Sequence, residues 1–344
     1  MKRIICLLMC IILMLGCIAC GKKESEDVKD EVDETIQIGF TFDSLVIERW
    51  ERDRDVFVSR AKELGAEVNV QNANGDIETQ ISQIEYFIEK NVDAIVIVAT
   101  DCEALSDVVG KARKAGIKVV SYDRLISNAN TDLYISFDNF MVGKLMGAAI
   151  ISQIGRHGDI IMINGPLTDT NVPAVMDGFK KEMGATNINI LRTDYCEGWK
   201  AEYASTYVSD YLKENPDKVP AAIMCGNDSL AGQAIKVLSE NKLAGTVIVT
   251  GQDADVDACQ RIVEGTQYMT VYKPVEKLAQ RAAELTIEMV QNDSMEFENT
   301  INDGTYDIPY ESLTPIEVTA ANMDEVIIGS FHQRDEVYLN VESK

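Results

Sequence analysis

Side chains that can bind hydroxyl groups recur along this chain directly after short β-branched segments. Asp and Asn can bridge adjacent hydroxyls, whereas Arg and Lys donate hydrogen bonds into hydroxyl lone pairs. The pattern occurs eight times: Asp43 with Glu48-Arg49-Trp50, Asp123-Arg124, Asp138-Asn139, Thr168-Asp169-Thr170-Asn171, Glu197-Gly198-Trp199, Asn227-Asp228, Gln252-Asp253 and Lys273-Pro274.

Both tryptophans of the chain belong to this set, Trp50 in its first half and Trp199 in its second. A pyranose ring has two C–H-rich faces that stack on aromatic rings, and a rim of hydroxyls that both donate and accept. The pattern therefore predicts a sugar site with Trp50 and Trp199 as walls. Any one polar residue could instead be a helix cap or turn former, but caps do not require two Trp, two Arg and a Lys.

The segments that must position these side chains alternate between strand and helix patterns. Ile77, Ile81, Ile84 and Ile88 give one helical segment an apolar stripe, and Asp76 is predicted to cap it. Apolar strands separated by helices indicate an α/β protein with two doubly wound parallel-sheet lobes. The predicted strands are 35–42, 67–70, 94–99, 118–121 and 133–137, then 159–163, 187–191, 221–224, 247–250 and 269–271, with 142–155 as the helix that crosses between lobes.

In doubly wound sheets, ligands bind outside the carboxyl ends of the strands. The side chains that follow the strands are therefore expected to meet at one site.

Composition excludes several classes of function. The 344 residues include 32 basic and 56 acidic side chains, a net charge of −24, which disfavours nucleic-acid binding. Only two histidines are present, so a His-rich zinc site is improbable. No G-x-S-x-G or P-loop motif occurs, and an enzyme is the weakest of the hypotheses. We expect no cofactor and no metal.

The N-terminus has the pattern of an export signal. Lys2 and Arg3 precede 16 uncharged residues, a run shorter than a membrane-spanning helix needs. The sequence Cys17-Ile18-Ala19-Cys20-Gly21 resembles a bacterial lipobox, which predicts a signal peptide over 1–19, lipidation of Cys20 and an acidic tether over 20–34. Cys17 is the competing lipidation site, and an ordinary secretory leader is the alternative.

Four cysteines lie beyond this leader, and none forms a CxxC pair. Cys102, Cys196, Cys225 and Cys259 are scattered, so metal binding is improbable. Buried free thiols are the favoured prediction, although an exported domain could also form a disulfide.

From about Ile36 to His332 the chain resembles the type I periplasmic sugar-binding proteins of ATP-driven transporters, most closely their D-xylose-binding members. The motifs that carry the resemblance are Glu48-Arg49-Trp50 with Asp53-Arg54-Asp55, Gln71-Asn72-Ala73-Asn74-Gly75, Tyr122-Asp123-Arg124, Tyr134-Ile135-Ser136-Phe137-Asp138-Asn139, Gly251-Gln252-Asp253-Ala254-Asp255 and Met269-Thr270-Val271-Tyr272-Lys273-Pro274.

The resemblance implies sugar contacts at nine positions that coincide with the strand-end residues above. The loop 165–172 is one residue longer than the family pattern, which leaves Asp169 as the alternative to Asn171. The implied contacts are Arg49, Trp50, Asp123, Arg124, Asn171, Trp199, Asn227, Asp253 and Lys273.

The resemblance also implies how the chain threads through its two lobes. One lobe is expected to comprise 35–140 plus 274–313, and the other 141–273 plus 314–344. A hinge of three crossings, near 138–141, 273–274 and 312–315, would join them.

The implied function is that of a monomeric, lipid-anchored receptor facing the outside or periplasm. It would bind D-xylose or a close aldopyranose and deliver it to a membrane permease. The alternative is a receptor of the same fold that reports the sugar to a membrane sensor kinase or chemoreceptor.

Overall fold

The computed structural model describes residues 35–292 and 295–341. The predicted signal peptide over 1–19, Cys20 and the tether over 20–34 lie outside the described residues. Among the residues described, no helix is both long enough and apolar enough to cross a bilayer.

Strands in the described residues form two sheets, and all ten predicted strands are among them. In chain order the strands are β1 (Gln37–Phe42), β2 (Glu67–Asn72), β3 (Ala94–Ile97), β4 (Lys118–Tyr122), β5 (Leu133–Phe137), β6 (His157–Asn164), β7 (Asn187–Tyr195), β8 (Ala222–Cys225), β9 (Ile248–Gln252), β10 (Met269–Tyr272), β11 (Asn299–Asn302), β12 (Asp307–Leu313) and β13 (Ile316–Thr319).

The two sheets have the strand orders β11-β12-β5-β4-β3-β1-β2 and β13-β10-β9-β8-β6-β7. Neighbouring strands are parallel except for the edge pairs β11–β12 and β10–β13. The prediction of an α/β fold with two mainly parallel lobes is therefore confirmed.

Helices follow the strands, as a parallel sheet requires for its crossover connections. In chain order they are α1 (Arg49–Glu63), α2 (Ile77–Glu89), α3 (Ser106–Lys114), α4 (Asn139–Ile154), α5 (Asn171–Met183), α6 (Glu202–Glu214), α7 (Asp228–Glu240), α8 (Val256–Glu264), α9 (Val275–Gln291), α10 (Met323–Val326) and α11 (Arg334–Val337).

Strand β3 shows why its sheet must be covered on both faces. Successive strand residues point to opposite faces, and Val96 lies in one apolar core whereas Ile95 and Ile97 lie in another. All three are fully buried. The uninterrupted apolar sequence is therefore the pattern of a central parallel strand.

A capping residue and two glycines show how the sequence determines where helices begin and how closely they pack. Asp76 accepts the Thr79 N–H at 2.7 Å, which confirms its predicted role as the N-cap of α2. Helices α4 and α5 can approach closely because each has a glycine where they meet. A Cβ at Gly143 or Gly178 would lie 1.9 Å from a backbone oxygen of the facing helix.

The chain passes between the two sheets three times. It leaves the first sheet after Phe137, and α4 packs against β8, β9 and β10 of the second. It returns after Tyr272, where α9 packs against α1, and it crosses again between Leu313 and Ile316.

Candidate functional site

A closed cavity lies between the carboxyl ends of the two sheets. The empty space between its lining atoms amounts to about 320 Å³. This space suits a small ligand rather than a chain of sugars. The cavity is lined by Ile47, Arg49, Trp50, Asp123, Arg124, Asp169, Asn171, Trp199, Asn227, Gln252, Asp253 and Lys273.

All nine residues predicted from the sequence are in that lining, and three further residues join them. Asp169, the alternative to Asn171, lines the cavity beside it. Gln252 is one of the polar residues that follow a predicted strand, but the family resemblance implies no sugar contact at this position. Ile47 is a single apolar residue, so the polar pattern could not find it.

Each lobe contributes its residues from the start of a helix or the end of a strand. Arg49 and Trp50 begin α1, and Asn171 begins α5. Asn227 caps α7, with its Oδ1 accepting the Leu230 N–H at 2.9 Å. Gln252 is the last residue of β9. Short-range sequence features thus place residues that are far apart in the chain around one point.

Arg49 is buried and paired with two carboxylates. It donates from Nε and Nη2 to the two carboxylate oxygens of Asp53, at 3.1 and 3.0 Å, and its Nη1 lies 2.8 Å from Asp123. Tyr122 donates a short hydrogen bond to Asp53. Burial acts to raise the pKa of Asp123, but Arg49, Lys273 and Arg124 together bring it below its usual value. Asp123 therefore faces the cavity as an acceptor.

Arg124 joins the two lobes. It follows β4 of the first sheet, and its Nη1 donates to Asp43 at 2.8 Å and to the Ala99 carbonyl at 2.6 Å. Its Nε lies 2.8 Å from Asp169, which follows β6 of the second sheet. Asp169 also accepts the Trp199 indole N–H at 3.1 Å. Burial raises the pKa of Asp169, partly opposed by Arg124.

Asn171 and Lys273 have polar partners inside the site. The Asn171 amide donates to Asp123 at 3.0 Å and accepts from Asn139 at 2.8 Å, so its orientation is determined. Lys273 Nζ lies 2.7 Å from Asp253. These contacts leave Asn171 and Lys273 with defined positions before a ligand binds.

The charge balance of the site favours a neutral ligand. Arg49, Arg124 and Lys273 supply three cations, and each is within 2.8 Å of a carboxylate. The carboxyl groups paired with them number five, namely Asp43, Asp53, Asp123, Asp169 and Asp253. Each cation of the lining is therefore already neutralised by a carboxylate of the protein. An anionic ligand such as a sugar phosphate or sugar acid would find no unpaired positive charge, so the site disfavours it.

Three lining residues adopt a left-handed backbone conformation that non-glycine residues rarely use. The φ angles are 64° at Asp123, 56° at Trp199 and 98° at Asp253. Such conformations cost on the order of 1–3 kcal/mol each and cluster at functional sites. Gly165 makes room for one of them, because a Cβ there would lie 2.2 Å from the Trp199 ring.

Three buried polar atoms of the lining have neither a hydrogen-bond partner nor an ion-pair partner within the described residues. They are Trp50 Nε1, Asn227 Nδ2 and Gln252 Oε1, two donors and one acceptor. Buried polar atoms are normally paired, and each exception calls for an explanation such as a bound ligand. A ligand with both donors and acceptors, such as a polyhydroxylated ring, would satisfy all three.

The four cysteines beyond the leader are buried and free, as predicted. Burial, with Asp169 contributing, raises the pKa of the Cys102 thiol to about 12. In the part of the chain that the structure describes, no group of three or more His, Cys, Asp or Glu could hold a metal ion.

Comparison with known proteins supports this geometry. A model of the periplasmic binding protein domain matches residues 38–294. The chain is 41% identical over 308 residues to a D-xylose-binding periplasmic protein of Haemophilus influenzae, covering 88% of this chain and 92% of that one. It is 39% identical over 338 residues to the D-xylose-binding periplasmic protein of Escherichia coli, covering 97% and 98%.

The fold has solved counterparts. An ABC transporter solute-binding protein of Clostridium phytofermentans, solved with bound β-D-glucose, aligns with a TM-score of 0.80 at 24% identity, covering 88% of this chain and 99% of that one. Family model, relatives and fold therefore agree. The chain belongs to the periplasmic binding protein family, and it is an exported binding protein rather than an enzyme.

Proposed function

We propose that this protein binds D-xylose, or a close aldopyranose, in the cavity between its lobes. The observation that carries the proposal is the cavity lining, in which three buried polar atoms lack partners and every cation is paired. That lining suits a neutral, polyhydroxylated ring. Two relatives at 41% and 39% identity are named for D-xylose binding, which supports this sugar.

The nine predicted residues and Asp169 have distinct roles in this proposal. The carboxylates Asp123, Asp169 and Asp253 accept hydrogen bonds from sugar hydroxyls. The donors are Arg49, Arg124, Asn171, Asn227 and Lys273, and Trp50 and Trp199 contact the ring faces. Arg49 lies 4.4 Å from the centroid of the Trp50 ring, a cation–π contact that fixes the indole.

A pentose fits the proposal better than a hexose. A hexopyranose carries an additional hydroxymethyl group, which would have to be placed among lining residues that are all buried. Resemblance to D-xylose-binding proteins across the rim residues points the same way.

Calorimetry tests the proposal directly. We expect heat of binding with D-xylose and weaker binding, or none, with arabinose, ribose, glucose and galactose. Xylonate, the open-chain acid of xylose, provides a negative control, since it lacks the pyranose ring and its carboxylate would meet an excess of acidic groups. If no monosaccharide gives heat, the proposed sugar-binding function is wrong.

Delivery to an ABC sugar permease is the biological role that we propose for the bound receptor. The two lobes would be 35–140 plus 274–313 and 141–273 plus 314–344, closing on the sugar at the three crossings. Lipidation of Cys20, or of Cys17, would hold the protein at the membrane. Signalling to a sensor kinase or chemoreceptor is the alternative role, and uptake of labelled sugar by cells with and without the receptor separates the two.

A further inference from the structure

Gln252 lines the cavity, but it is not among the nine sugar contacts that the family resemblance implies. It is the last residue of β9, where it pairs with Val271 of β10, and it is 5% exposed. Its Nε2 donates to the Gly226 carbonyl at 2.5 Å. One end of the amide is therefore bonded to the backbone of the second lobe, and the other end is free.

Gly226 holds this amide in one orientation. The Gly226 N–H donates to the Ile163 carbonyl at 2.7 Å, and a Cβ at Gly226 would lie 2.9 Å from the backbone nitrogen of Gly165. The glycine is thus held tightly. Flipping the Gln252 amide would bring two carbonyl oxygens together, which is unfavourable. The free end of the amide is consequently Oε1, which can only accept.

The neighbouring amide of Asn227 has the opposite polarity. Its Oδ1 is occupied by the Leu230 N–H, so the free atom is the donor Nδ2. Gln252 Oε1 and Asn227 Nδ2 are both buried and unpaired among the described residues. A hydroxyl can satisfy either atom, whereas fluorine or an ether oxygen can satisfy only the donor.

We propose that Gln252 is a specificity-determining residue whose Oε1 requires a hydroxyl that donates a hydrogen bond. The inference rests on the proposed sugar-binding function and adds a chemical criterion to it. At the position facing Gln252, the site accepts a hydroxyl and rejects fluorine, hydrogen or an ether. Such rejection is strong because a buried acceptor would be left unpaired.

The test compares D-xylose with its monodeoxyfluoro derivatives, one ring position at a time. At one position, the fluoro sugar should bind the wild-type protein about tenfold or more weakly than D-xylose, equivalent to about 1.4 kcal/mol. In Gln252→Met that ratio should fall close to one, while ratios at the other positions stay unchanged. Calorimetry or competition binding gives all the dissociation constants.

Gln80 provides a matched control, because it is a buried glutamine outside the cavity lining. Its amide donates to the Val98 carbonyl at 2.9 Å and accepts the Thr100 N–H at 2.8 Å. Gln80→Met should lower the melting temperature and leave every fluoro-to-hydroxyl ratio unchanged. A change in those ratios would mean that loss of any buried glutamine disturbs the site.

A second variant keeps the proposal testable if Gln252→Met does not fold. Gln252→Leu also removes both polar atoms of the amide in a side chain of similar size, so the ratio between the fluoro sugar and D-xylose should again fall close to one. Equal ratios in the wild-type protein and in whichever of the two variants folds would overturn the inference. Absence of binding by the wild-type protein to any sugar would instead overturn the proposed function.

Discussion

At the residue scale, Trp199 and Asp253 line the same cavity but differ in what they can distinguish. An indole presents an apolar face that every pyranose can contact. Asp253 presents carboxylate oxygens beside Lys273, at 2.7 Å, and can distinguish one hydroxyl orientation from another. Both residues are buried, and both have a positive φ.

Substitution of these two residues should therefore affect affinity and selectivity differently. Trp199→Ala should weaken all pyranoses by a similar factor, because aromatic contacts contribute about 0.5–1.5 kcal/mol beyond area burial. Asp253→Ala leaves Lys273 unpaired and should cost about 1.5–3 kcal/mol or more, by an amount that depends on the hydroxyl lost. Dissociation constants for two epimeric sugars measure both effects.

Trp199→Phe is the control for the indole N–H, which donates to Asp169. It removes that hydrogen bond and keeps an aromatic ring, although a smaller one. If Trp199→Ala altered the ratio between epimers while Asp253→Ala weakened both equally, the assignment of wall and rim would be wrong.

The sequence predicted the polar lining of the cavity better than it predicted the interactions within it. Strand ends marked all nine polar or aromatic candidates because parallel strands bring their carboxyl ends together. The Asp43–Arg124 pair joins residues 81 positions apart, and no local pattern indicates it. Ile47 was missed because a lone apolar residue in a loop has no periodicity.

At the element scale, the loop between β6 and α5 (residues 165–170) makes hydrogen bonds between the lobes. None of its residues is among the nine predicted sugar contacts, although Asn171 follows it directly. The Cys102 N–H donates to the Thr168 carbonyl at 3.0 Å. Thr170 Oγ1 accepts the Leu125 N–H at 3.0 Å and donates to the Leu125 carbonyl at 3.0 Å. These bonds join loops of opposite lobes, so they stabilise the closed conformation.

Thr170→Val should therefore weaken sugar binding without removing a sugar contact. Loss of two hydrogen bonds at about 0.5–1.5 kcal/mol each disfavours the closed state. Because the ligand binds that state, its dissociation constant should rise about fivefold or more, mainly through faster dissociation. Stopped-flow fluorescence measures the rates. Thr206→Val, on the exposed face of α6, is the matched control and should leave them unchanged.

The last three strands of the chain were harder to predict than the central strands. Central strands such as β3 are buried on both faces and have uninterrupted apolar sequences. Strands β11, β12 and β13 were missed, since they are rich in polar residues and partly exposed. Their pairing is determined by the sheets that they extend rather than by their own composition.

At the scale of the whole molecule, the cavity is closed to solvent in the conformation described. Every lining residue is at most 8% exposed. Contacts between the lobes include Arg124 with Asp169, and Arg52 of α1 with the Phe331 carbonyl at 2.8 Å. These contacts close the route to the cavity, so we expect a more open conformation in solution through which the sugar enters.

Binding should consequently compact the protein. A ligand held by both lobes favours the closed state by its differential affinity, and a shift from 1% to 99% closed requires about 10⁴-fold preference. We expect the radius of gyration from X-ray scattering to decrease on addition of saturating D-xylose, and to remain constant with a sugar that gives no heat. Thr170→Val should need more sugar for the same decrease. A radius that does not change when calorimetry shows saturation would rule out hinge closure, because the lobes would then admit the sugar without moving apart.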